Sequence, residues 1–368
     1  MLFIIYITIF AFINTFCKIK NRNRFYFITV IGFCLLALIV NPTPDMDLYK
    51  HYETLDFMRN ASLDQILSMQ YTQYEGLPVF AISFYLISKL GYNKILLVIA
   101  YFIDYGCQFK ILSMVKEDFN ISKKGEQWAY NLIILLTNAM GLTGIRNMIA
   151  FTLCSMMIYY DVVRKKHRIL SWVIYIAMCL FHESTLVIVL LRVAIMLPDW
   201  KIFQLIQMSI IVWPQLINII SKWMVNFKGV FWSKLLQKMI LYSYSPDQDF
   251  AALGGTMGFI RLFLELLIVV SVLVLVFIES KNNVIGTKYF RLYLFIALFC
   301  IGGIFVPYML VRYIRFAVFL SIPLYARTWS ICENNRNIFI VKICQILIIT
   351  SIIFVYLNLI ISQYVFLP

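Results

Sequence analysis

Arg146 and His182 are polar side chains set beside apolar stretches, in Gly144-Ile145-Arg146-Asn147-Met148-Ile149-Ala150 and Cys179-Leu180-Phe181-His182-Glu183-Ser184. A guanidinium in such a place offers a planar, two-donor grip on phosphate. Its plainer reading is an arginine that snorkels to lipid headgroups. An imidazole beside the Glu183 carboxylate can serve as base for a hydroxyl. Its plainer reading is a satisfied structural histidine. Ser184 makes no hydrolase triad, because no nucleophile elbow surrounds it. Asp45, Asp47 and Tyr49 cluster in Asn41-Pro42-Thr43-Pro44-Asp45-Met46-Asp47-Leu48-Tyr49-Lys50-His51-Tyr52. Here Asp45 is expected to cap a helix with Asp47 in its first turn, favoured by the helix dipole. That leaves Asp47 as the acid freer to act. Two acids two apart raise a metal site only weakly, and without a phosphate-binding motif nearby no metal is expected. Glu75 closes the same stretch in Tyr74-Glu75-Gly76-Leu77-Pro78, where it reads equally as interfacial residue or general acid/base. Arg312 and Arg315, on a helix expected to begin at Pro307, are three apart and share a face, so an anion is their natural partner. No zinc or haem spacing, P-loop or dinucleotide fingerprint appears, and no cofactor is expected.

The elements that position these groups follow from composition. The chain is 62% hydrophobic and 14% charged over 368 residues, which argues against an ordinary soluble domain. Repeated apolar stretches of membrane-crossing length predict an all-α, polytopic helical membrane protein. The net charge of +14 reads as positive-inside loop charge rather than a nucleic-acid surface. The eight cysteines fall, Cys332 excepted, in apolar segments and read as buried unpaired thiols. Met1 to Cys17 lacks a basic start and reads as a retained first helix.

Basic loops at 18–24, 116–124, 164–168, around Lys201, 279–291 and 327–336 are placed in the cytoplasm. Parity then puts 42–94 and 221–258 outside, together with Arg146 and His182. The apolar stretch at 77–90 is too short to span and is expected to be re-entrant or interfacial. About twelve spanning helices result, in a single membrane domain covering 1–368. Leu48, Tyr52 and Leu55 are expected to lie on the membrane surface. Trp223, Phe227, Phe231 and Trp232 predict an interfacial amphipathic helix.

These residues resemble the EpsG family of polytopic proteins, relatives of Wzy-type polymerases of exopolysaccharide and capsule. Asp45–Tyr52 is similar to that family's outer acid followed by spaced tyrosines, and Tyr74-Glu75-Gly76 to its Glu-Gly. Ile145-Arg146-Asn147-Met148-Ile149-Ala150 is similar to its Ile-Arg-Gln-x-x-Ala, Phe181-His182-Glu183-Ser184 to its Phe-His-x-Ser, and Arg312–Pro323 to its late Arg-rich helix. Asn147 stands where the family has Gln. Asn41-Pro42-Thr43-Pro44 replaces its Gly-containing approach, so Asp45 and Asp47 both stand as the counterpart of its acid.

The resemblance implies polymerisation of undecaprenyl-diphosphate-linked oligosaccharide units at the outer face of the bacterial cytoplasmic membrane. It implies as partners the lipid bilayer and the pathway's flippase and chain-length regulator, with no nucleic acid. Such a transfer needs cations for the diphosphate leaving group, a role that fits Arg146, Arg312 and Arg315. It needs a base for the acceptor hydroxyl, which His182, Asp47 or Glu75 can supply, with Asp45, Tyr49 and Glu183 as secondary candidates. A glycosyltransferase adding single sugars from a lipid phosphate would use a similar outer acid. A flippase would place its cations in a mid-membrane cavity.

Overall fold

A computed structural model describes residues 2–44, 46–67, 76–136, 144–196, 209–226, 236, 255–279, 287–331 and 338–361. These are mostly helical, with no strand among them, so the chain is all-α. They divide into two compact units. The first comprises Met1–Val189, Ile322–Arg336 and Leu359–Pro368, the second Leu190–Ser321 and Asn337–Asn358.

The first unit is built on α1 (Leu2–Phe16), α2 (Arg22–Leu38), α6 (Ile95–Phe119), α7 (Lys123–Leu136), α8 (Ile145–Ile158) and α9 (Arg168–Cys179). Three shorter helices, α3 (Asp47–Asn60), α4 (Leu63–Leu67) and α5 (Pro78–Ser88), fill the excursion between α2 and α6. Aromatic side chains set the register of the bundle. Phe33 stacks on Tyr105 and Tyr26 on Phe109, at centroid distances of 3.9 and 4.9 Å, so α2 runs antiparallel to α6. Offset and edge contacts of this kind contribute about 0.5–1.5 kcal/mol per pair beyond area burial. Gly32 permits a close approach: a Cβ there would overlap the ring and hydroxyl of Tyr6, which donates to the Thr29 carbonyl at 2.9 Å.

Several polar groups between the helices are paired with one another. Asn14, fully buried on α1, donates to Asn131 Oδ1 (2.9 Å) and to the Gln127 carbonyl (2.8 Å) on α7. On α6, Asp104 is fully buried, and its Oδ1 accepts from Gln108 (2.5 Å) and from Thr152 on α8 (2.6 Å). Tyr159 and Arg164 reach Asp118 at the far end of α6, which makes α8 parallel to α6. A single π-helical turn, Tyr159–Val163, ends α8.

Each end of α6 therefore gathers different loops. Near Phe119 lie Arg22, Lys116, Glu126 and Arg164, drawn from the basic loops 18–24, 116–124 and 164–168 and the helix that follows the second. Near Ile95, Asn93 bonds Asp56 and Arg59 of α3. Leu48 and Leu55 are buried because α5 packs on α3; the expected exposure of this face to a membrane surface does not occur. Each such side chain contributes about 1.5–3 kcal/mol on burial.

The second unit holds the second half of α10 (Thr185–Ala194), then α11 (Trp213–Met224), α12 (Gly255–Glu279), α13 (Thr287–Gly302), the first part of α14 (Pro307–Ile331) and most of α15 (Ile338–Ile361). Trp213 stacks on Phe299 at 4.6 Å and its indole N–H donates to the Phe299 carbonyl at 2.9 Å. Gly302 lets Ile211 close over α13, since a Cβ would overlap the Ile211 carbonyl oxygen.

Two described helices, Ile95–Phe119 and Met309–Trp329, are long and apolar enough to cross a membrane. The 77–90 stretch forms an 11-residue helix, about 16 Å long at 1.5 Å per residue and short of a span. The described cysteines are all free thiols; Cys17 is exposed and Cys107 and Cys179 are half-buried rather than buried, and Cys332 lies outside the described residues. Most of 221–258, including Phe227, Phe231 and Trp232, also lies outside them.

Candidate functional site

The first residue of α3 is Asp47, with Met46 at the N-cap position and no side-chain cap bond. The helix thus begins one residue later than a cap at Asp45 requires. Asp45 and Glu75 lie outside the described residues. One helical turn past Asp47 comes His51, whose Nε2 lies 3.4 Å from Asp47 Oδ2. Asp47 keeps 43% of its side chain exposed, whereas His51 keeps 1%. The 3.4 Å contact is an electrostatic one, because neither His51 nitrogen makes a hydrogen bond among the described residues. His51 is wedged edge-on against Phe84 of α5 at 5.4 Å. Tyr49, on the same helix, is half-buried.

Arg146 stands on the opening turn of α8, with its guanidinium over the Phe80 ring at 5.3 Å, a cation–π contact. Phe80 also meets Phe181 at 5.9 Å, and its N–H reaches the Leu180 carbonyl at 3.5 Å. This aromatic hub joins α5, α8 and the turn after α9. Arg146 is close enough to act on Asp47. Partial burial pushes the Asp47 carboxyl up, but the contact with His51, then the charges of His51, Arg146 and Lys50, outweigh it. The net result holds Asp47 below the usual carboxylate range.

His182 and Glu183 sit in the turn between α9 and α10, His182 5% exposed and Glu183 half-buried. The His182 Nδ1 accepts the Ser184 N–H at 3.2 Å. A neutral imidazole accepting at Nδ1 carries its proton on Nε2, so the ring offers a donor there rather than a base. Asp47, Arg146 and the 180–182 turn, taken from three distant parts of the chain, are thus gathered at the Ile95 end of the first unit. Arg312 and Arg315 belong to the second unit, on the opening turns of α14, both half-buried.

Two participants were not singled out from sequence. His51 had a local signal, an acid and a histidine four apart on one helix. Phe80 had none, since an aromatic on an apolar stretch is indistinguishable from packing. Asp104 is a third residue of interest: with Thr152 it ties α8 to α6 less than two turns from Arg146 and so fixes the height of that arginine. No family model, curated protein or solved structure matches this chain.

Proposed function

We propose that this protein is a multi-pass membrane transferase that polymerises undecaprenyl-diphosphate-linked oligosaccharides at the outer face of the bacterial cytoplasmic membrane. The observation that carries the reading is that Arg146 lies within electrostatic reach of Asp47, an acid and a guanidinium almost a hundred residues apart in sequence. In the transfer, a glycan leaves its lipid diphosphate for a hydroxyl on the incoming unit. Arg146 binds the diphosphate, whose charge grows as the glycosidic bond breaks. Asp47, the exposed member of its pair, takes the acceptor's proton, and the buried His51 holds the carboxylate in place. His182 donates from Nε2 to an acceptor oxygen of the substrate. Arg312 and Arg315 are the second unit's phosphate-binding cations.

The membrane reading has independent support. Phe12, Phe16, Phe27, Leu35, Ile169 and Ile176 are each more than half exposed on α1, α2 and α9, an apolar surface suited to lipid. The three basic loops at the Phe119 end of α6 lie opposite the Asp47 cluster, as a positive-inside orientation requires. In that orientation α5 is a re-entrant or interfacial helix, and about twelve spans carry the chain.

Lipid-linked glycans from a gene-deletion strain test the function. The expected profile keeps single repeat units on lipid at the outer leaflet and loses only long chains. Loss of the single lipid-linked unit would make the protein a transferase of single sugars, and units trapped on the inner leaflet would make it a flippase.

A further inference from the structure

At the opposite end of the first unit, residues 19–23, the last turns of α6 and the start of α7 line an open cavity of about 540 Å³. Four cations line it, Lys20, Arg22, Lys116 and Lys123, against two carboxylates, Glu117 and Glu126. Both carboxylates are already engaged. Arg164 binds Glu117 at 2.8 Å, while Lys116 binds Glu126 at 2.8 Å and Tyr26 donates to it at 2.7 Å. Lys20 and Lys123 stand exposed at the rim with no carboxylate partner among the described residues.

Arg22 is the informative member. Its side chain is 9% exposed; Nη1 donates to Asn14 Oδ1 and Nε lies 3.9 Å from Glu126. Its Nη2, however, is buried without a hydrogen-bond partner among the described residues. A charged donor left bare in a buried place is costly unless a ligand completes it. Two helices also begin here: α2 at Arg22 and α7 at Lys123. Their positive ends add to the field of the four cations. A binding site results with room for a small headgroup, an excess of two positive charges and one unfilled guanidinium donor.

We infer that this cavity binds a phosphate group, carried by an anionic phospholipid headgroup or by a soluble phosphate compound. A phosphate presents several acceptor oxygens to a guanidinium fork and to two flexible ammonium groups at once. The site needs nothing from the Asp47 cluster, so it stands or falls independently of the polymerase proposal.

The experiment uses the full chain in nanodiscs of phosphatidylcholine, alone or mixed with phosphatidylglycerol. Inorganic phosphate and glycerol phosphate are titrated into the pure phosphatidylcholine discs at fixed ionic strength. The thermal unfolding midpoint is the readout, with native mass spectrometry counting retained lipid. A rise with phosphatidylglycerol supports the site with lipid as its source, and a rise with either soluble phosphate supports it with a soluble source. The double variant Lys20→Ala/Lys123→Ala removes two exposed rim cations, so folding is preserved. It should weaken the effective ligand by about tenfold or more, since each charge-assisted contact is worth about that much. Arg22→Gln should do the same if it folds, and the double variant decides the matter if it does not. No shift with any phosphate-bearing probe, or an equal shift in wild type and double variant, would overturn the inference.

Discussion

The two ends of α6 both carry clusters of polar side chains and use them in opposite ways. At the Phe119 end, opposite charges are paired within the protein. Glu126 is held by Lys116 and Tyr26, and Arg164 by Asp118 and Glu117, whose carboxylates push its already high pKa further up. Arg22 Nη2 is the buried donor left open there among the described residues. At the Ile95 end, both His51 nitrogens, the Tyr52 hydroxyl and Asn147 Oδ1 are buried without hydrogen bonds among the described residues. Their acid, Asp47, is half exposed to whatever approaches. Buried polar groups are normally satisfied, and exceptions collect where a substrate or water completes them. Under the proposed function, the contrast gives shape-keeping to one end and chemistry to the other.

The largest effect should come from Asp47. Asp47→Asn keeps size and removes the proton acceptor, and general-base loss costs about 10²–10⁴-fold in rate. Polymer should shorten or vanish while single lipid-linked units accumulate, at unchanged protein level. His51→Gln should lower the rate less and act on turnover rather than on donor affinity, because His51 works through Asp47. Near-normal polymer from Asp47→Asn would transfer the base role to Glu75.

Arg146 comes next. Lysine supplies charge without the planar fork, so Arg146→Lys should lose nearly as much as Arg146→Ala. The expected cost is on the order of 2–4 kcal/mol, or roughly 30- to 1000-fold in rate. The same swap at Arg312 tests that arginine as a phosphate-binding cation in its own right. If both lysine variants polymerise normally, these arginines are membrane anchors and the chemical end of α6 loses its cation.

The legibility of the chain follows the same division. The helical class, the start of α14 at Pro307 and the shortness of 77–90 were readable, because hydrophobic runs and proline act locally. Arg146, His182 and Asp47 stand out in the sequence as candidates, being polar beside or between apolar stretches. Their grouping does not. It depends on Phe80 packing between α5, α8 and the 180–182 turn, and nothing in the local sequence marks that phenylalanine. The burial of Leu48 and Leu55 is illegible for a related reason. An amphipathic pattern shows that a helix has a covered face but not whether lipid or α5 covers it.

The shape-keeping end should respond in stability, not in turnover. Glu126→Gln leaves Lys116 and Arg22 without their carboxylate, and should cost roughly 1–3 kcal/mol because Lys116, half exposed, regains water. Activity per folded molecule should stay at wild-type level; a drop would show that the two ends are coupled through α6. Thr152→Val should cost about 1 kcal/mol or slightly more, by removing one of two donors to Asp104 Oδ1. Some activity should fall with it, since the lost bond is what fixes α8 at the height that presents Arg146.

The smallest expected effect concerns acid. In the folded protein His51 and Arg146 hold the Asp47 carboxyl below the usual range, so the folded state binds this proton more weakly than the unfolded chain does. The stabilisation is therefore complete above the ordinary carboxylate value of about 3.9 and is lost as pH falls through the depressed folded value. The difference in thermal midpoint between wild type and Asp47→Asn should still be present at about pH 5 and close only in more acid solution. It should be modest throughout, because solvent screens a carboxylate this exposed. The variant Arg146→Lys keeps the charge and should leave that profile in place, while Arg146→Ala should move its closing point to higher pH. A gap that closes well above pH 5 in the wild type would mean that desolvation, not the two cations, governs Asp47, and the acid and guanidinium would no longer count as one site.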